Sequence, residues 1–170
     1  MTTMMALLKS LDRILLNALK AVTIISFIFL TALITANVFV RFFPVVSLHW
    51  FDEIIELLYA YMVFYGAAAL WITREHISVG DWLSGRILKS QRVRHSYGVI
   101  VETLALLFVV IFFYYSLQLT ERALDVTNVF AIPKKILYSC MPIAGAVMVV
   151  YSIRNIMVEM IGVIKPQQEG

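Results

Sequence analysis

Cysteine is nearly missing from this chain. Its one copy among 170 residues, Cys140, lies inside an apolar run, which excludes a disulfide framework and a cysteine-ligated metal. Charge is scarce as well: Asp, Glu, Lys and Arg make up 15% of the residues, against roughly 25% in soluble domains. The net charge of +3 is small and its surplus sits in particular connections, so no nucleic-acid partner is indicated. The three histidines, His49, His76 and His95, all fall between apolar runs. No two of them face each other at one depth, so a bis-histidine haem is not expected. A phosphate-cradling glycine loop, an HExxH pair and a CxxC pair are all lacking. The expectation is a protein that is not an enzyme and holds no cofactor.

What the chain has instead is apolar length, with 61% hydrophobic residues and a mean hydropathy of +0.86. Ala21 to Val40 contains no charge in 20 residues, which at about 1.5 Å per residue spans a hydrocarbon core of roughly 30 Å. Ile54 to Thr73 carries one ionisable carboxylate, Glu56, near its start, and Val99 to Leu119 carries Glu102 near its own start. Ile136 to Ile153 is uncharged, and Pro133 suits the first turn of that helix. Strand-type alternation is missing, and backbone groups in lipid are satisfied only in helices or closed barrels. The reading is an all-α membrane protein, a single domain over 1–170, with spans at about 21–43, 51–73, 97–120 and 134–156. The first run exceeds a typical signal-peptide core and "TALITANVF" offers no good cleavage site, so it is read as a retained span.

Basic residues set the orientation. Ten of the fourteen lie before span one, between spans two and three, or at the end of span four; Arg41, Arg122, Lys134 and Lys135 lie on the other side. Both termini are therefore expected in the cytoplasm. Two connecting stretches are amphipathic. In one, about 4–20, Leu8, Leu11, Leu15 and Leu19 form an apolar stripe opposite Lys9, Asp12, Arg13, Asn17 and Lys20. In the other, about 77–90, Val79, Trp82, Leu83 and Ile87 form the stripe, with Trp82 suited to an interfacial anchor. Each reads as a helix lying on the membrane surface, with an ordinary hairpin or an extension of the adjoining span as the alternative.

Ionisable groups in a span invite a functional reading. Asp52, Glu53 and Glu56 gather at one helix N-terminus, which favours carboxylates electrostatically, and Arg41 is a plausible partner across "FFPVVSLHW". A structural cluster pinning two helices is favoured over a cation or proton site, because all three acids sit at the rim. Glu102, about one turn inside span three, is read as paired with Arg94 or His95, and Arg154 as reaching to the headgroups. "GAAA" from Gly66 and "PIAGA" from Pro142 remove bulk so that helices can approach closely. Pro142 should also bend span four.

The order "NVFVRFF", "WFDEIIELLYAYMVFYGAAALW", "REHISVGDWL" and "FAIPKKILYSCMPIAGAVM" resembles the small membrane subunit of tripartite ATP-independent periplasmic (TRAP) transporters, over roughly residues 10 to 160. The motif positions are Arg41, Trp50, Asp52, Glu53, Gly66 and His76. The resemblance implies a scaffold in the bacterial inner membrane. It would support a large membrane subunit that carries the sodium and substrate sites, with a periplasmic binding protein delivering an organic acid: a dicarboxylate, sialic acid or another sugar acid. Lipid is the expected partner of the remaining apolar surface. A self-contained homo-oligomeric transporter or channel working through Glu56 and Glu102 is the rival reading.

Overall fold

The computed structural model describes residues 2–42, 49–74 and 91–164. Four helices account for almost all of them: α1 (Thr2–Arg41), α2 (His49–Thr73), α3 (Gln91–Arg122) and α4 (Lys134–Ile164). All four are long and apolar enough to cross a membrane, as the sequence required. The expected stretch at about 77–90, with His76 and Trp82, lies outside the described residues. At the other amphipathic stretch, about 4–20, the chain is continuous with span one in a single 40-residue helix. No residue there breaks a helix: neither Gly nor Pro occurs between Thr2 and Arg41, so the hydrogen-bond ladder runs on. The remaining helices likewise outrun their expected spans, α3 mainly by starting at Gln91 and α4 by running on to Ile164.

The helices pack mainly in the order α1, α2, α4, α3, so the last helix in sequence lies between the second and third. Burial follows from that place. In its most apolar stretch α4 is 39% buried, against 11% in both α1 and α3. Leu137, Cys140, Ala144, Met148, Tyr151, Ser152 and Asn155 form its buried stripe, spaced three and four apart as one helix face demands. Around Ala144 and Met148 gather Leu19, Ala68, Ala69, Ile72 and Val109, a core without a charged member. Small residues allow this closeness. A Cβ added at Gly66 would stand 3.2 Å from Thr23 Cγ2 on α1, and one at Gly145 would meet Phe113 on α3, its Cα included at 3.4 Å. Van der Waals contact at such short range drives helix association where lipid is as apolar as the side chains.

Pro142 lies inside α4 without interrupting it. Proline has no N–H to offer the carbonyl of Tyr138, one turn back. The Thr120 hydroxyl of α3 lies 2.8 Å from the Ser116 carbonyl and 3.3 Å from that of Tyr138, a shared hydrogen bond that gives the freed oxygen a donor. Thr120→Val is therefore expected to lower stability by about 0.6 kcal/mol, the usual worth of one interhelical hydrogen bond in a membrane protein. Thermal unfolding in detergent checks this. Thr103→Val is the control, since Thr103 bonds only within its own helix.

Candidate functional site

Polar side chains collect at the two ends of the helices. One end is where α1 begins, α2 finishes, α3 begins and α4 finishes. Here Arg74, directly after α2, forms an ion pair with Glu159 of α4, whose other oxygen is 2.7 Å from His95 Nδ1 of α3. Arg74 holds a left-handed backbone (φ 63°), which turns the chain sharply off the helix and closes it with a bond from its N–H to the Trp71 carbonyl. One carboxylate thus joins three helices. Glycine makes room for it: a Cβ at Gly98 would stand 3.0 Å from the Glu159 carboxylate, and one at Gly162 would stand 2.7 Å from the His95 ring.

Glu102 lies alongside this junction, 1% exposed, with one oxygen 3.7 Å from the Arg74 guanidinium. Neither of its oxygens accepts a hydrogen bond, and the amide nitrogen of the equally buried Asn155 likewise has no partner. A buried carboxylate in that position is held by a cation already engaged elsewhere. Trp71 Nε1 donates to Ser152 Oγ at 2.6 Å, a further tie between α2 and α4. Asp12 of α1 receives Arg154 Nη1 at 2.6 Å and the Tyr151 hydroxyl, and the same guanidinium lies 4.3 Å from the Tyr151 ring centre. Arg154 is therefore tied to Asp12, where the sequence indicated a reach to headgroups.

At the opposite end Glu53 grips the α3–α4 connection. Its two oxygens accept the backbone N–H groups of Val129 at 2.7 Å and Phe130 at 3.2 Å. Those N–H groups belong to the turn at 128–130 within a tight loop. The loop is drawn shut by the Val126–Pro133 bridge and by Thr127, whose N–H donates to the Ile132 carbonyl. Trp50 stacks on Phe51 (4.2 Å) and meets Phe130 edge-on (6.3 Å). Asp52 and Glu56 are exposed. The side chain of Arg41 lies outside the described residues. Tyr61 adds a bond to the Ile136 carbonyl at 3.0 Å. Removing the carboxylate by Glu53→Leu is expected to speed hydrogen exchange at the Val129 and Phe130 amides, since both lose the acceptor that protects them.

Among the described residues no group of three or more histidine, cysteine or acidic side chains is placed to hold a metal ion. Between the two ends the interior is apolar, apart from serines such as Ser26 and Ser116, the latter bonded to its own helix. Sequence reasoning missed Glu159, Asn155 and Asp12. The signal was present: Ser152, Asn155, Glu159 and Gly162 recur three and four apart, continuing the buried face of α4 past the end of the apolar run.

Four helices long and apolar enough to cross a membrane, clasped by polar contacts at both ends around a largely apolar middle, define an α-helical integral membrane protein. The chain belongs to the family of tripartite ATP-independent periplasmic transporters, DctQ component, whose model matches residues 30–161. It is thus a small membrane subunit of a TRAP transporter, a transport component. No curated protein matches the chain.

Proposed function

We propose that this chain braces a large, sodium-coupled membrane subunit during uptake of an organic acid delivered by a periplasmic binding protein. The reading places it in the bacterial inner membrane with both termini in the cytoplasm, and assigns the sodium ion and the substrate, a dicarboxylate, sialic acid or another sugar acid, to the larger chain. One observation carries it: among the described residues the packed middle, around Ala68, Ala69, Val109, Ala144 and Met148, holds no charged group. Its buried polar side chains are isolated serines such as Ser26 and Ser116, which make no path for a solute or ion. The ionisable groups instead lock helix to helix. A self-contained carrier would have to link Glu56, exposed near the start of α2, with Glu102, buried beside the far end of the same helix. That packed middle lies between them.

The test is reconstitution in liposomes. Uptake is expected only when the large subunit and the binding protein are present, and it should persist when Glu56→Gln or Glu102→Gln replaces the native chain. Substrate or sodium flux through the purified chain alone would overturn the proposal.

A further inference from the structure

A crevice of about 260 Å³ opens between α1 and α2, lined by Lys20, Thr23, Ile24, Gly66, Leu70 and Thr73 among others. Its walls are apolar despite two threonines. The Thr23 hydroxyl donates to the Leu19 carbonyl at 2.8 Å, and the Thr73 hydroxyl to the carbonyls of its own helix, so both are spent internally. The Thr23 methyl closes the floor, at 3.2 Å from where a Gly66 Cβ would stand.

The mouth is different. Arg13, Asn17, Lys20 and Ile24 follow one another at intervals of four, three and four, so they share a face of α1 that leads to the crevice. Arg13, Asn17 and Lys20 are all exposed. Neither Arg13 nor Lys20 has an ion-pair partner among the described residues, and the nearest acid on the helix, Asp12, is occupied by Arg154 and Tyr151. The uncharged run of α1 begins directly after Lys20. Lys20 therefore stands at the boundary between headgroup and hydrocarbon, with an anion-seeking stripe on one side and a greasy slot on the other.

We infer that the α1–α2 crevice is a binding site for one anionic phospholipid, its acyl chain lying against Ile24, Gly66 and Leu70 and its phosphate held by Lys20 and Arg13. Charge complementarity selects this occupant: a neighbouring protein helix would fill the slot but would leave the two cations unanswered. The site is independent of which organic acid the transporter carries.

Native mass spectrometry of the full chain, purified with equal phosphatidylglycerol and phosphatidylcholine, tests it. One phosphatidylglycerol should be retained at about 30-fold preference, the ratio that two surface cations contribute at about 1 kcal/mol each. Lys20→Gln should lower that preference about fivefold, the share of one cation, Lys20→Arg should keep it, and Lys135→Gln, at the opposite end, should leave it unchanged. In the assembled transporter a benzophenone residue at position 24 should crosslink to lipid. Equal retention of the two lipids, a loss of preference with Lys135→Gln as large as with Lys20→Gln, or a position-24 adduct on the large subunit would each overturn the assignment.

Discussion

Replacing Arg74 by alanine is expected to destabilise the protein by about 3 kcal/mol, the low end for breaking a buried ion pair, because this side chain is 38% exposed. The loss exceeds that of one contact. Glu159, 13% exposed, would retain only His95, and Glu102 would have no cation among the described residues within ion-pair range. Two carboxylates would then face a low-dielectric interior together. The measurement is thermal unfolding of the full chain in detergent, run as a cycle with Glu159→Gln. The double variant should recover part of the loss, since neutralising Glu159 removes the charge that Arg74 answered. Equal melting of Arg74→Ala and wild type would show that the junction contributes nothing. Glu102→Gln behaves in the opposite sense. Neutralising a buried carboxylate without hydrogen bonds should be neutral or stabilising, because the amide avoids the penalty of burying charge.

Gly162→Ala should cost about 1–3 kcal/mol, the range for forcing atoms into a packed interface. The new methyl would lie 2.7 Å from the His95 ring, and the ring cannot rotate aside without releasing Glu159. Gly66→Ala is the informative comparison. There the added carbon would meet only the Thr23 side chain, at 3.2 Å, so the neighbour needs to give by a few tenths of an ångström. Unfolding by heat, with assembly followed by size-exclusion chromatography, separates the two. A Gly162→Ala protein as stable as Gly66→Ala would mean that His95 and Glu159 yield freely.

The four spans were legible because hydrocarbon imposes a length and forbids exposed backbone polar groups, and both demands are written directly in composition. Helix ends were less legible. Hydropathy ceases to report once a helix leaves the apolar layer, so α4 was expected to stop near residue 156 although its buried face continues through Glu159 and Gly162. The same blindness hid the junction. Arg74 and Glu159 lie far in sequence from each other and from His95 and Glu102, two turns apart on α3, and only the placement of α4 between α2 and α3 brings them together. Glu53 was visible as one of three neighbouring acids, but nothing in its spacing named the amides of Val129 and Phe130 as its targets. Local charge patterns reveal which residues need a partner; the partner itself is a property of the fold.

The central position of α4 has a consequence for biosynthesis. Translation delivers this helix last, so α3 enters the bilayer before the neighbour it packs against most extensively has left the ribosome. Until then Arg74 waits without Glu159, and the serine that receives Trp71 does not yet exist. A chain ending before Lys134 would therefore lack both the carboxylate that answers Arg74 and the helix against which α2 and α3 each pack.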